Sequence, residues 1–358
     1  MQFRTYARQL IVAVLLTIGM LASTNLVVDP YGVFNTGVLP VAVEPSTYYN
    51  KIRHLEKNPR KYSGFILGSS AIGFTPTTIV EQYLPGIRFY NLWVSSATQY
   101  ENLAHLKYLI KAQSPQVIYL QVDLNLGLTA YRHGHSQYAR RLHPVVEGEN
   151  LAAFLFEYLT VFPIDRLRDK ISANLAGRQQ VALTDFTNTG TVVAKRQDAL
   201  IAADPKGYVK HMPTFHSHHV RTVRGRQTKR SIDAIRSMHE LCRQHRVRLI
   251  VFIHPEHQMD MDGILLYDYL DFLKQLTEVT GYWDFSGYNT VTKNDFMYYE
   301  PGHYMPAVSR LIAARIFNDG TIDVPKDFGV YVTKFNFDRH ASILTRQFAD
   351  RDTARSTF

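Results

Sequence analysis

Cysteine is almost absent from this sequence, and its absence excludes several classes of protein. The single cysteine among 358 residues, Cys242, cannot form an internal disulfide and cannot build a cysteine-rich zinc site. It lies in the helical pattern IRSMHELCRQH, where a small buried hydrophobe is the simplest role. The chain also lacks paired metal-ligand cysteines and the aromatic RNA-binding motif. We therefore expect no nucleic-acid partner, in spite of a formal net charge of +9.

Acidic residues are the minority among the charged ones, 31 against 40 basic residues. Such a balance favours polyanionic partners, here anionic lipid head groups or acidic polysaccharide. The imbalance is strongest between residues 206 and 230, where no Asp or Glu occurs. Two interpretations stay open for this stretch: a merely solvated basic face, or a surface that binds an anionic glycan or lipid head group. Its basic side chains are Lys206, Lys210, Arg221, Arg224, Arg226, Lys229 and Arg230.

The same stretch contains the histidine-rich segment HMPTFHSHH, which by composition alone could hold a metal ion. No carboxylate lies close to it in sequence, and the helical i, i+4 spacing of a metal site is not supported there. We therefore favour a solvated loop and predict neither a metal ion nor an organic cofactor. The histidines concerned are His211, His216, His218 and His219.

Long apolar runs are also scarce, and only one could cross a membrane. Arg4 and Arg8 precede an uncharged run from Leu10 to Val28, and Asp29 follows it. At about 1.5 Å per residue the run matches the hydrocarbon thickness, and its charge asymmetry places the N-terminus in the cytoplasm. No clear cleavage site follows, so we expect an uncleaved signal anchor; a cleaved signal and a buried core helix are the alternatives. The sequence thus predicts a single-pass protein of the bacterial inner membrane whose body is periplasmic.

The body alternates short apolar runs with amphipathic segments, which is typical of a parallel β-sheet covered by helices. Buried strands are expected in YSGFIL, IRFYNLWVS, PQVIYLQV and VRLIVFI, with helices between them. We predict an anchor over residues 1–28, a connector over 29–60, an α/β domain over 61–320 and a C-terminal extension over 321–358. Residues 131–228 interrupt the alternation and form an inserted cap. The tail ADRDTARSTF is expected to fray.

Polar residues follow the first three strands where each ends, and the carboxyl ends of parallel strands are where reactive groups collect. A serine there needs a base, normally a histidine oriented by a carboxylate. Glu300 and His303 supply such a pair in EPGHY, just before the last core helix. A helix cap is the other role open to the serines of ILGSS. The polar residues at the strand ends are Ser69, Ser70, Asn91, Ser95, Ser96, Gln121, Asp123 and Asn125.

These segments, in this order, resemble the SGNH (GDSL-type) hydrolase superfamily. The resemblance rests on four segments: ILGSS after a buried strand, FYNLWVSSAT, VIYLQVDLN and a late E-x-x-HY. VDPYGVFN after the anchor is similar to the membrane-anchored branch that includes the alginate O-acetylation proteins and the teichoic-acid D-alanyl transfer protein. The resemblance covers about residues 29–317 and leaves the insertion unmatched. It implies a three-layer α/β/α sheet domain with an inserted cap.

By position the resemblance assigns Ser70 as nucleophile, His303 as base and Glu300 as the carboxylate that orients it, where the family usually has aspartate. Ser95, Ser96, Asp123 and Asn125 stand near the family's oxyanion and substrate positions without matching its glycine and its G-x-N-D motif. Ser69 is expected to be a turn residue.

The activity implied is serine-dependent O-acyl transfer, most simply of acetyl groups, to an acidic or neutral exopolysaccharide or envelope glycan. A multi-pass membrane acyltransferase is the implied partner, since a periplasmic domain has no direct access to cytosolic acetyl-CoA. A carbohydrate esterase with the same triad is the second possibility. A non-catalytic subunit that binds glycan or scaffolds a secretion complex is the third.

Overall fold

The computed structural model describes residues 2–41, 43, 45–129, 141–177, 183–216 and 224–356. The chain divides into two compact units. The smaller unit combines residues 1–53 with 133–181, and the larger combines 54–132 with 182–358. The segment predicted as one insertion is therefore shared between the two units, with its division after residue 181.

The secondary-structure elements are numbered in chain order. The helices are α1 (Gln2–Val28), α2 (Thr47–Lys57), α3 (Thr78–Glu81), α4 (Gln99–Ala112), α5 (Leu124–Thr129), α6 (Pro144–Glu147), α7 (Leu151–Thr160), α8 (Ile164–Leu175), α9 (Lys195–Ala203), α10 (Pro205–His211), α11 (Thr228–Gln244), α12 (Gln258–Met261), α13 (Leu266–Thr277), α14 (Pro306–Phe317) and α15 (Phe337–Ser356). The strands are β1 (Gly64–Leu67), β2 (Phe89–Asn91), β3 (Val117–Val122), β4 (Leu183–Thr184), β5 (Val192–Val193), β6 (Arg248–Ile253), β7 (Tyr282–Asp284), β8 (Tyr298–Glu300), β9 (His303–Tyr304) and β10 (Val330–Val332). Short 3₁₀ turns cover Ser70–Ile72, Pro213–His216 and Asp295–Met297.

The larger unit is built on a six-stranded sheet in the order β10-β7-β6-β3-β1-β2. Every pairing is parallel except that of β10 with β7. From β1 the chain passes to β2 on one side and then crosses back to β3 on the other. The carboxyl ends of β1 and β3 therefore flank the point where the strand order reverses, which is where open α/β sheets bind their ligands. The predicted α/β class and mostly parallel sheet are confirmed.

Alternating side chains bury both faces of this sheet. Ile66, Tyr119 and Phe252 point to the face covered by α14, where they share one apolar cluster with Val308 and Ile312. Residues between them on the same strands are also fully buried, as a sheet covered on both sides requires. The helices α4 and α11 pack against one another, and α11 also contacts β6. This double cover explains why the central strands are nearly continuous apolar runs.

In the smaller unit, α1 contacts α7 and α8. Among the described residues, α1 is the one helix long and apolar enough to cross a membrane, over Phe3–Val28. The expected apolar segment is thus present as an uninterrupted helix of 27 residues.

The structure adds elements that the sequence did not predict. The predicted connector contains α2, and the predicted cap contains α7 and α8, which are separated by three residues that end at Pro163. The C-terminal extension packs back on the body, as the ring contact of Tyr269 with Phe348 shows. The expectation of a frayed tail was wrong for residues 349–356, because α15 continues to Ser356.

Candidate active site

The GSS turn follows β1 and is held to β3 through Ser69. The Ser69 amide donates to Gln121 Oε1 at 2.8 Å, and its hydroxyl donates to Asp123 Oδ2 at 2.8 Å. A Cβ on Gly68 would lie 2.2 Å from Gln121 Oε1, so glycine is what allows this close approach. Ser69 also accepts from the Ala71 amide at 3.3 Å and caps the 3₁₀ turn. With 2 % of its surface exposed, Ser69 is the turn residue that the sequence predicted.

Ser70 begins the 3₁₀ turn and is only partly buried. Within the described part of the chain, its hydroxyl makes no hydrogen bond, to His303 or to any other residue. Strand β9, which carries His303, lies directly against the turn Ser70–Ile72, with Cα atoms of the two segments within 8 Å. The His303 ring also meets the Phe74 ring edge to face, with 5.5 Å between centroids. The structure therefore brings the predicted nucleophile and the predicted base to one place without hydrogen-bonding them.

Glu300 and His303 are cross-strand neighbours in a small hairpin, not members of an irregular loop. Strands β8 and β9 pair antiparallel across Pro301 and Gly302, and Glu300 lies directly opposite His303. Paired residues in a hairpin project from the same face, so the two side chains meet. Glu300 Oε1 lies 2.7 Å from His303 Nδ1. The expected contact between carboxylate and imidazole is present.

This pairing sets the chemical state of the imidazole. A carboxylate at Nδ1 favours the tautomer that carries its proton there, which leaves the Nε2 lone pair free to accept a proton. The hydrogen bond from His303 holds the pKa of Glu300 below its ordinary value, although partial burial opposes the shift. Glu300 is therefore ionised near neutral pH and can stabilise an imidazolium.

The residues predicted near the oxyanion have different surroundings. The Val94 amide donates to the Gly68 carbonyl at 3.2 Å, so Ser95 and Ser96 follow directly beside the GSS turn. Ser96 has a φ of 53°, a left-handed conformation that is uncommon outside glycine. Both serines thus lie at the expected edge of the sheet and are partly buried.

Asp123 and Asn125 are committed to internal bonds. Asp123 accepts from Ser69 and, at 3.0 Å, from the Leu126 amide. Asn125 Nδ2 donates to Glu256 Oε2 at 3.2 Å. Both side chains hold the floor of the site, and neither points an unpaired donor toward Ser70 in the described structure.

That floor contains a buried charge network which the sequence analysis missed. His254 Nε2 lies 3.0 Å from Glu256 Oε1 and 3.8 Å from Asp123 Oδ2. All three side chains are buried. The signal was available, because His254 immediately follows β6 and so stands at the same carboxyl edge as Ser69 and Asp123.

The network shifts the pKa values of its members. Burial alone would lower the pKa of His254, but the charges of Glu256 and Asp123 outweigh it and raise the pKa to about 9. Burial, followed by the charge of Glu256, raises the pKa of Asp123. Burial together with Glu256 and Asp123 also raises the pKa of Asp260 to about 7. The raised pKa favours the protonated form of His254, which lies between the carboxylates of Asp123 and Glu256.

The same three residues are the group that a metal ion could use. One donor atom from each of Asp123, His254 and Glu256 lies within 4.8 Å of the others. Ser69 and the Leu126 amide already donate to Asp123, and Asn125 donates to Glu256. Hydrogen bonds within the protein thus already position both carboxylates, whereas His254 Nδ1 is buried without a hydrogen-bond partner among the described residues.

The described part of the histidine-rich segment also forms ordinary helix contacts. His211 Nδ1 lies 2.7 Å from the Gly207 carbonyl, and His216 Nε2 lies 3.0 Å from that of Lys210. His218, His219 and Arg221 lie outside the described residues. His211 ends α10 and His216 ends the following 3₁₀ turn, so the described part of the segment is helical and not the loop that was predicted.

Comparison of the chain with protein-family models, with curated proteins and with solved structures finds no significant match in any of the three.

Proposed function

We propose that the protein is a serine-dependent O-acyltransferase of the SGNH type that modifies an extracytoplasmic glycan. The observation that carries the proposal is the hairpin pair Glu300–His303, placed against the turn that begins at Ser70. These groups meet at the carboxyl edge of a parallel sheet, beside the reversal of strand order. A three-layer α/β/α domain with an inserted cap belongs to the same proposal.

The chemistry follows from these three side chains. His303 Nε2 takes the proton of Ser70 Oγ as this oxygen attacks the acyl carbonyl carbon. The Ser70 amide, at the start of the 3₁₀ turn, is a donor for the oxyanion. The imidazolium then protonates the leaving group, and an acyl-Ser70 ester remains. A sugar hydroxyl, deprotonated by Nε2, attacks that ester, and the imidazolium returns this proton to Ser70 Oγ as the bond between Oγ and the acyl group breaks.

Residues of the predicted insertion border the site and support a polar polymeric acceptor. Tyr208, on α10, donates to the Tyr299 carbonyl at 2.9 Å, next to Glu300. Lys206 and Lys210 on the same helix are exposed. This side of the site therefore offers an aromatic hydroxyl and positive charge, which suit an acidic or neutral polysaccharide.

The location proposed is the bacterial inner membrane, with α1 as a single-pass anchor and the body in the periplasm. The length and composition of α1, and the arginines before it, support this arrangement. Acyl groups must then reach Ser70 from a donor on the same side of the membrane. A multi-pass membrane acyltransferase is the class of partner that would supply them.

The direct test is whether Ser70 becomes acylated. Full-length protein in detergent is mixed with p-nitrophenyl acetate, and release of p-nitrophenol is followed beside the intact mass. We expect a burst, and one acetyl group on the peptide that contains Ser70. A folded protein that shows neither a burst nor labelling by a fluorophosphonate would contradict the proposal and favour the scaffold function. Turnover equally fast with and without oligosaccharide acceptors would indicate the esterase.

Replacing Glu300 tests the orienting carboxylate. For Glu300→Gln we expect acylation of Ser70 to slow about 100-fold, because the amide no longer stabilises the imidazolium. Glu300→Asp keeps the charge on a shorter arm and should lose less. The burst rate constant with p-nitrophenyl acetate is the measurement. Equal rates for all three proteins would mean that Glu300 is only a surface carboxylate.

A further inference from the structure

The turn between α7 and α8 carries apolar side chains on its outside. Phe162 and Ile164 flank Pro163 and are 59 % and 60 % exposed, and Phe156 is 58 % exposed one turn earlier on α7. No charged residue lies between Glu157 and Asp165. Exposing a group of large apolar side chains to water is unfavourable in free energy, so we expect this turn to contact an apolar partner.

Hydrogen bonds fix the position of this turn along α1. Asn25 lies in the last turn of α1, and its Nδ2 donates to the Leu159 carbonyl at 2.8 Å and to the Val161 carbonyl at 2.5 Å. Lys170 Nζ donates to the Asp29 carbonyl at 2.6 Å. Asn25 precedes Asp29 by about 6 Å along the helix axis. The turn therefore lies beside the apolar segment, and α8 reaches the level of Asp29 only at Lys170.

The C-terminal end of α8 lies beyond the level of Asp29, on the side away from the apolar segment of α1. Asn174 Nδ2 donates to the Val41 carbonyl, and the Val41 amide donates to Asn174 Oδ1, both at 2.9 Å. Val41 belongs to the chain that follows the apolar segment. The helix α8 thus runs from the level of Asn25, past Asp29, toward the residues outside the predicted span.

Most backbone carbonyls of the turn accept hydrogen bonds from within the protein, which favours contact with lipid. The Phe156 carbonyl accepts from Thr160 Oγ at 2.9 Å, and the Glu157 carbonyl from the Val161 amide at 3.0 Å. The Ile164 and Leu167 amides donate to the carbonyls two and four residues before them. Asn25 supplies the donor for the Leu159 and Val161 carbonyls, which gives a physical reason for a buried amide at the end of an apolar helix.

We propose that the α7–α8 turn inserts into the outer leaflet of the bilayer that α1 spans, with lipid acyl chains as its partner. The proposal rests on the anchor role of α1. Phe162 and Ile164 then lie at the depth of Asn25, a few ångströms inside the boundary marked by Asp29, which is the usual depth of interfacial apolar side chains. The smaller unit then contacts the bilayer through both α1 and the α7–α8 turn, and these two contacts restrict its tilt.

Site-directed spin labelling of the full chain in lipid nanodiscs tests this. Single cysteines are introduced at Phe162, at Val14 in the middle of α1, and at Leu175, an exposed apolar residue at the far end of α8, all in a Cys242→Ala background. Power saturation compares the accessibility of each nitroxide to oxygen, which concentrates in lipid, and to a water-soluble nickel chelate. The nanodiscs contain no other membrane protein, so lipid is the only apolar partner present.

We expect the labels at Phe162 and Val14 to favour oxygen and the label at Leu175 to favour the chelate. A label at Phe162 that behaves like Leu175, while Val14 favours oxygen, overturns the insertion of the turn and leaves the anchor standing. A label at Val14 that favours the chelate overturns the anchor and this proposal together. Ser70 acylation by p-nitrophenyl acetate reports separately on the active site and is expected to be unchanged in all three variants.

Discussion

We expect Ser70→Ala to lower the rate of the proposed acyl transfer by at least about 1000-fold, because the variant has no atom on which the acyl group can reside. The stability of the fold stays the same, since the Ser70 hydroxyl makes no hydrogen bond within the described structure and its side chain is only partly buried. The measurements are the p-nitrophenyl acetate burst and the thermal midpoint of unfolding. A variant that keeps the burst would show that another group is acylated.

The neighbouring serine provides a matched control. Ser69→Ala removes a buried hydroxyl that donates to Asp123 Oδ2 and caps the 3₁₀ turn. An unpaired buried acceptor costs about 1–3 kcal/mol, so this variant should unfold at lower temperature than Ser70→Ala. Once folded, it should still form an acyl-enzyme on Ser70. The opposite assignment, with activity lost in Ser69→Ala and stability lost in Ser70→Ala, would reverse the roles given to the two serines.

The central strands were predictable because a strand that is buried on both faces of a sheet has an almost continuous run of apolar residues. The runs GFIL, VIYLQV and RLIVFI are nearly continuous in apolar residues and became β1, β3 and β6. Strands β7 and β10 have three residues each, and β10 lies at the edge of the sheet. Segments that short show no periodicity. Tertiary pairing, and not local preference, makes them strands.

Two helices were missed for different reasons. In α2, the fully buried Tyr48, Ile52 and Leu55 follow helical spacing, a signal concealed by the Pro- and Gly-rich residues before it. In α15, the contact that fixes the helix is distant in sequence: His340 Nε2 lies 2.7 Å from Asp284 Oδ2. Within the charged tail, Arg351 Nη1 donates to the Tyr288 hydroxyl at 3.1 Å, so the tail also has a partner distant in sequence, although its composition is typical of a frayed end.

The part of the candidate site that depends on residues close in sequence could be predicted. Glu300 and His303 are close in sequence, and their bond needs only a hairpin. The contact of β9 with the turn at Ser70 depends on the whole fold, and only the resemblance suggested it. The pairing of Asn125 with Glu256 could not be foreseen, since 131 residues separate them.

Replacing His254 is expected to give the largest loss of stability. His254→Gln leaves the carboxylates of Asp123 and Glu256 buried without their cation, and breaking a buried ion pair in this way costs about 3–5 kcal/mol. The double variant His254→Gln/Glu256→Gln removes one charge of each sign and should recover much of the loss. The exposed His245→Gln is the control and should be neutral. Chemical denaturation at pH 7 measures all four proteins, and a wild-type-like His254→Gln would refute the buried imidazolium.

The pH dependence of stability gives the same network a second, independent readout. The folded pKa of His254, about 9, is higher than the unfolded value near 6.5. The contribution of His254 to the free energy of unfolding is therefore fully present below pH 6.5 and is lost as the pH rises through 9. The total loss is roughly 3 kcal/mol. The raised pKa of Asp260, about 7, acts in the same direction between about pH 4 and pH 7. Wild-type stability should thus fall from mildly acidic to alkaline pH, and the alkaline part of that fall should vanish in His254→Gln. If the free energy of unfolding changed equally with pH near pH 8 in both proteins, a group other than His254 would account for the alkaline loss of stability.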